Sequence, residues 1–418
     1  MACIFVVFFL VCNMRYGHGE NVKNVVTSDP SGYYMYLPTV FVDSGIHHIT
    51  RDFTGWVKNE KGETYIKYTC GVALFYMPFF LGAHLYSYLT HSNMSGYAPP
   101  YYYAIMLCGL VWAVIGIWLL KTLLRQYFSR PVTWLTLLCI VAGTNYFNYA
   151  TLEIGMSHVY SFALFAAAAL VTDRYYKDPG KGKAMLLGLI IGWIVLIRPT
   201  NIMILVFLLL FRVVTKEDLR KRLAFLKMHM RDIPLAVLFF VVIWIPQLYY
   251  WKEMTGHWIR YSYDHEQFIY WTNPKILAVL FDTQNGLLLY SPVLLFLFWA
   301  VIAKRKDART NAWGTGIVFA VITYIFASWW AWWFGGAFGH RCYVDYYPLF
   351  AFPMAVTMES ILNAKKLYAK IPAIAVVLLL CYYSVALCET YMVNGVFWEG
   401  EHWRWNWDGW IGVVKSLF

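Results

Sequence analysis

A handful of polar side chains stand in or beside long apolar runs. They are Asp29 in TSDPSGYYMYLP, Lys67 in YIKYTCG, Glu153 and His158 in LEIGMSHVYSF, Arg198 in LIRPTN, Asp282 and Asn285 in FDTQNGLLLYSP, and His340, Arg341 and Asp345 in GGAFGHRCYVDYYP. Ionisable groups at membrane depth are costly and are usually functional. A carboxylate there can accept the proton of a hydroxyl. Arginine can grip two oxygens of a phosphate in its planar fork, whereas lysine acts as a point charge.

Each residue also has a plainer reading. Asp29 sits in S-D-P-S-G, which is good turn chemistry, and D-T-Q-N-G around Asp282 and Asn285 makes an ordinary turn. Lys67 can snorkel to the interface, and Arg341 can anchor the helix that follows a glycine-rich turn. Arg198 can pair with Glu153 or with a helix end. Glu153 and His158 stand five residues apart and share no simple helical face, so as a metal pair they are weak. Trp329, Trp330, Trp332 and Trp333 can stack on a sugar or line a lipid groove, but suit interfacial anchoring better.

The elements that must position these residues are membrane helices. The chain has 418 residues, 60% hydrophobic and 14% charged, a balance no water-soluble domain needs. Apolar runs near 1–14, 102–120, 132–149, 158–172, 184–197, 199–211, 233–250, 287–303, 313–327, 347–362 and 371–388 predict an all-α polytopic membrane protein with about eleven transmembrane helices. With the amino terminus inside, the basic residues fall on alternate connections. These hold Lys121, Arg125 and Arg130; Arg174, Lys177, Lys181 and Lys183; seven from Arg212 to Arg231; Lys304, Arg305, Lys306 and Arg309; and Lys365, Lys366 and Lys370. This positive-inside pattern accounts for the net charge of +11 without nucleic acid. It also puts the polar constellation on the extracytoplasmic side.

Residues 1–14 read as a first membrane helix rather than a cleaved signal peptide, because no basic residue precedes the apolar core and Gly17 with Gly19 is a poor cleavage site. Residues 15–101 form the first extracytoplasmic loop. Within it, Cys70–Leu89 is long enough to cross, yet counting it would reverse every later loop. Pro78, Gly82 and His84 suit a broken amphipathic pair of interfacial helices. No loop is long enough for a separate soluble domain, so 1–418 reads as one integral-membrane domain. The eight cysteines contain no C-x-x-C pair, and a bridge among Cys70, Cys342 and Cys388 stays open.

The order and spacing of these pieces resemble the GT-C superfamily of membrane glycosyltransferases, especially the branch of protein O-mannosyltransferases and lipid A aminoarabinose transferases. Asp29, Tyr33, Tyr34 and Gly45 are similar to the family's acidic, aromatic and glycine pattern in the first external loop. Lys67 resembles its basic residue before the proline-containing helix, and Arg198 its basic residue near the end of a span. Arg341, Tyr343 and Pro348 match a late R-Y-x-x-x-x-P-like segment loosely. Where the family often has a second acidic residue, this chain has Pro30. That departure weighs against a paired-carboxylate or metal site, although a divalent metal is not excluded by sequence.

The resemblance implies transfer of a sugar from a polyprenyl-phosphate donor to a glycan, lipid or protein acceptor. Asp29 would be the general base, and Lys67, Arg198, His340 and Arg341 would face the donor phosphate. Tyr33, Tyr34, Glu153, His158, Asp282, Asn285 and Asp345 would bind substrate. A base with no protein nucleophile implies inversion at the anomeric carbon. The implied location is a bacterial cytoplasmic membrane with the site facing the periplasm. A transporter or flippase of lipid-linked sugars would instead place its charges near mid-membrane and show repeated halves. An O-antigen ligase or polymerase shares the same lipid donor.

Overall fold

The computed structural model describes residues 19–43, 45–46, 56–59, 62–263, 266–394, 398–399, 402–403 and 406–418. The expected first span at 1–14 lies outside them. The described chain is mostly helical, and its only strands are two short antiparallel pairs, such as Trp56–Lys58 with Thr64–Ile66. Four helical segments are long and apolar enough to cross a membrane: Pro99–Leu124, Asp232–Thr255, Ala308–Ser328 and Leu367–Tyr391.

The other expected spans are shorter or interrupted helices. The run at 132–149 becomes Arg130–Gly143 and Tyr146–Thr151, broken at Thr144 and Asn145. The run at 199–211 is a tight 3-10 turn, Pro199–Met203, followed by Ile204–Leu209. Residues 287–303 fall into three pieces around Pro292. Proline has no N–H to donate and fixes its own φ, so Pro199 and Pro292 open new helical segments rather than continue old ones.

The basic connections gather at one end of the bundle. Arg309 binds both Glu359, at 2.7 Å, and the carbonyl of Tyr127. The Tyr127 hydroxyl donates to Asp173, which also receives Lys177 at 2.7 Å. Asn311 accepts from the Arg212 backbone at 2.7 Å. Four of the five basic connections, far apart in sequence, are thus tied together, along with the helix Tyr347–Leu362 that leads into the fifth. The helix Lys216–Met228 closes this end, started by a capping box between Thr215 and Asp218.

Residues of the first loop share the bundle's own hydrophobic core, with Tyr33, Tyr65, Phe75 and Phe80 in one cluster with Tyr160, Leu196 and Tyr343. One expectation is corrected here. Ala73–Leu89 is a single continuous helix with Pro78 inside it, not a broken pair. In an apolar run a full break would strand several backbone groups, whereas Pro78 forfeits one hydrogen bond. Nor is the helix amphipathic: Leu81, Leu85, Tyr86 and Leu89 are exposed while Phe75, Tyr76 and Phe80 are buried. It lies lengthwise and antiparallel against the first half of Pro99–Leu124. His84 reaches the Tyr101 hydroxyl at 2.7 Å, and the Phe75 ring meets Trp112.

Candidate active site at the end opposite the basic connections

Asp29 begins a short helix, Asp29–Tyr34, in which Pro30 occupies the first turn, where a missing N–H costs nothing. Behind it, Gly155 approaches so closely that a Cβ there would lie 2.0 Å from the Val25 carbonyl oxygen. The LEIGMS turn is therefore pressed against the start of the first loop, which brings Glu153 toward Asp29. Across the site, the GGAFGHRC loop is set by Gly339. Its φ is +65°, and a Cβ would meet Tyr290 at 2.9 Å and the Asn145 amide at 3.2 Å. Only glycine satisfies both constraints. Asn145, at the helix break, also donates to the Phe338 carbonyl at 3.1 Å.

These two loops bring Asp29 and Arg341 into contact. Arg341 Nη2 lies 2.9 Å from Asp29 Oδ2, with 14% and 17% of the two side chains exposed. The Tyr68 hydroxyl donates to the other oxygen, Oδ1, at 2.7 Å, and Tyr33 packs edge-on against the Tyr68 ring. Burial pushes the Asp29 carboxyl up, but Arg341, the Tyr68 hydroxyl, Arg198 and Lys67 together outweigh it and hold Asp29 below its ordinary value. Asp29 is therefore an anion. Arg341 Nε is buried and has no acceptor.

Two further cations approach the pair. Lys67 is held by Glu266 at 2.6 Å and packs against the rings of Tyr68 and Tyr263. Among the described residues no carboxylate lies within ion-pair distance of Arg198; its guanidinium donates to the Cys342 sulfur at 2.7 Å. It does not pair with Glu153. A sulfur is a weak acceptor, so Arg198 is a cation whose strongest bonds are unmade.

Behind this cluster, His158 Nδ1 lies 2.9 Å from Asp345, both side chains fully buried. Asn201 donates to the second Asp345 oxygen at 2.9 Å. His158 Nε2 and Asn201 Oδ1 are left without partners.

The remaining expected residues do not join the cluster. Tyr34 donates to the Gly96 carbonyl and packs among Tyr76, Phe80 and Tyr97, an anchor for the first loop. His340 is caged by Phe326, Phe334 and Tyr343, with Nε2 3.1 Å from the Trp332 carbonyl oxygen. Burial pushes its pKa down to about 3, so it is neutral and offers a phosphate no charge. Asp282 accepts from the Gln284 backbone within its turn. Asn285, at a φ of 66°, braces the Trp333 and Gly335 carbonyls at 2.8 and 3.0 Å. The Trp run lies over the loop that carries Lys67's partner, with Trp329 against Tyr263 and Phe268. No disulfide forms among the described residues, where the Cys70, Cys342 and Cys388 side chains are buried and unbridged. Nor do three metal-ligating side chains come together among the described residues.

Glu153 supplies the site's titration near neutrality. Burial raises its carboxyl from 4.5 to about 7, against the pull of Arg341 and with a smaller push from Asp29. Tyr149 and Tyr391 face it from the neighbouring helices. Between those two pH values the folded chain holds a proton that the unfolded chain releases. The stability this contributes is full below pH 4.5 and is lost as pH rises through 7, at about 1.4 kcal/mol per unit of displacement. The melting temperature of the wild type is expected to fall between pH 5 and 8 by several degrees more than that of Glu153→Gln. Equal falls in both proteins would refute the assignment.

No family model, no curated protein and no solved structure matches this chain.

Proposed function

We propose that the chain is a GT-C-type glycosyltransferase of about eleven spans that moves one sugar from a polyprenyl-phosphate donor to an acceptor on the extracytoplasmic side. The observation that carries this reading is the convergence on one carboxylate, Asp29, of three cations from three distant segments: Lys67, Arg198 and Arg341. Among the described residues no carboxylate is within ion-pair distance of Arg198, which leaves its guanidinium open to a phosphate.

In the proposed reaction the acceptor oxygen bonds to the anomeric carbon as the bond from that carbon to the phosphate oxygen breaks. The hydroxyl proton passes to Asp29, and the electron pair leaves on the polyprenyl phosphate, whose charge Arg198, Arg341 and Lys67 stabilise. A donor phosphate competing for Arg341 removes the cation that keeps Asp29 a weak base, so donor binding itself strengthens the base. One observation favours a second base. Glu153, at about 7, already lies where a general base works best at neutral pH. His158, Asp345, Asn201 and Tyr33 would shape the acceptor side.

Purified protein is assayed with radiolabelled polyprenyl-phosphate sugars, and the product's anomeric configuration is read by NMR. Transfer with inversion is expected; retention rules out the single-base mechanism. Movement of the lipid-linked sugar across vesicles with no new glycosidic bond would favour a flippase instead. Mass spectrometry of lipopolysaccharide and surface glycoproteins from a bacterial deletion strain identifies the acceptor.

A further inference from the structure

At the basic end, far from Asp29, a cavity of about 370 Å³ opens between the end of the helix His158–Lys177, the Phe211–Val213 turn and the helix Lys216–Met228. Its wall carries Lys177, Arg212, Lys221 and Arg222 against the two carboxylates Asp173 and Asp218. Both carboxylates are already occupied. Asp173 takes Lys177 and the Tyr127 hydroxyl. Asp218 takes the backbone N–H groups of Val214 and Thr215.

Among the described residues, neither arginine has a carboxylate within ion-pair distance. Arg222 lies flat on the Tyr176 ring, its Cζ 3.3 Å from the centroid, and gives one nitrogen to the Phe211 carbonyl at 2.9 Å. Its Nη1 is buried and finds no acceptor. Arg212 is held in the left-handed region, at a φ of 60°, by the Asn311 side chain, with its guanidinium over the Tyr127 ring. Ring stacking fixes both planar forks before any ligand arrives, so little side-chain freedom is lost on binding. The ion pair of Lys221 with Glu217 spans 4.0 Å between side chains 72% and 59% exposed, too loose to neutralise it.

We infer that this cavity binds a phosphate-bearing anion, either the headgroup of an anionic lipid or a soluble phosphate. The excess of cations matches phosphate charge, and Tyr176, Phe211 and Phe225 give the apolar wall that a headgroup's carbon backbone requires. None of these residues belongs to the proposed transfer site, so the inference stands apart from it.

The full chain in detergent micelles is offered phosphatidylglycerol, phosphatidylcholine or inorganic pyrophosphate, and bound ligand is counted by native mass spectrometry. Retention of phosphatidylglycerol over phosphatidylcholine, undisturbed by pyrophosphate, assigns the site to lipid. Binding of pyrophosphate without anionic lipid assigns it to a soluble ligand. In either case Arg222→Gln and the double variant Arg212→Gln with Lys221→Gln should each bind at least about fivefold more weakly. The double variant alters outward-facing side chains, so it keeps the test valid if Arg222→Gln fails to fold. No preferential binding of either anion, or equal binding by wild type and double variant, overturns the inference.

Discussion

Asp29→Asn is expected to cost sugar transfer a factor of about 10² to 10⁴, the range lost when a positioned base is removed. The substitution keeps the shape of the side chain and leaves an oxygen to accept from the Tyr68 hydroxyl. What it removes is the proton acceptor and the charge facing Arg341. Donor binding should therefore survive or tighten, because Arg341 is released toward phosphate, and the loss should appear in kcat rather than KM. Full activity in Asp29→Asn sinks the assignment. If Glu153→Gln shows the larger loss, together with a kcat no longer rising through pH 7, the base is Glu153.

Arg341→Ala carries the second large effect, and it acts on stability and rate together. Removing one partner of a buried pair costs roughly 3 to 5 kcal/mol, but solvent reaches both side chains here, so about 1 to 3 kcal/mol is expected. Asp29 holds its proton weakly because of Arg341. The stability it contributes is full above its ordinary value of 3.8 and fades as pH falls through the depressed one. Thermal melts should show the wild type losing stability on acidification below pH 4, and Arg341→Ala losing much less. Transfer should fall by about 10² to 10³, the cost of removing one donor from a developing negative charge. Arg341→Lys should restore the acid sensitivity but only part of the rate, since an ammonium lacks the fork. Rates unchanged in both variants would remove Arg341 from the mechanism.

That the basic connections share one end was legible because charge is a compositional signal. Lys121, Arg174, Lys304 and Lys365 each announce their side, and the structure ties that end together through Asp173, Arg309 and Asn311. Asp29 and Arg341 stood out because a lone charge among aromatic residues is rare. Their pairing was not legible, since nothing local encodes a contact between positions 29 and 341.

The residues that sequence reasoning missed are Tyr68, Cys342, Asn201 and Glu266. In a chain with 33 tyrosines, Tyr68 looks like another interfacial ring; only its place beside Lys67 hinted at more. Glu266 lies 199 positions from Lys67, and no periodicity connects them. The helix breaks were missed for a different reason. Hydropathy sums over a window and passes smoothly across Asn145, whose amide is consumed by the Phe338 carbonyl, and across Pro292, whereas the break at Pro199 already separated the runs 184–197 and 199–211. The continuity of Ala73–Leu89 through Pro78 was the converse case, a breaker overruled by its apolar surroundings.

The join between Asp29 and Arg341 also sets an order of events in biosynthesis. Asp29 leaves the ribosome long before Arg341 does. Until the loop after Ser328 has folded into place, Asp29 has Tyr68 beside it but not its strongest cation. A prematurely terminated chain can therefore insert most of its helices and still possess no assembled centre. On the proposed reading, the site becomes competent only once the Arg341 loop has joined it.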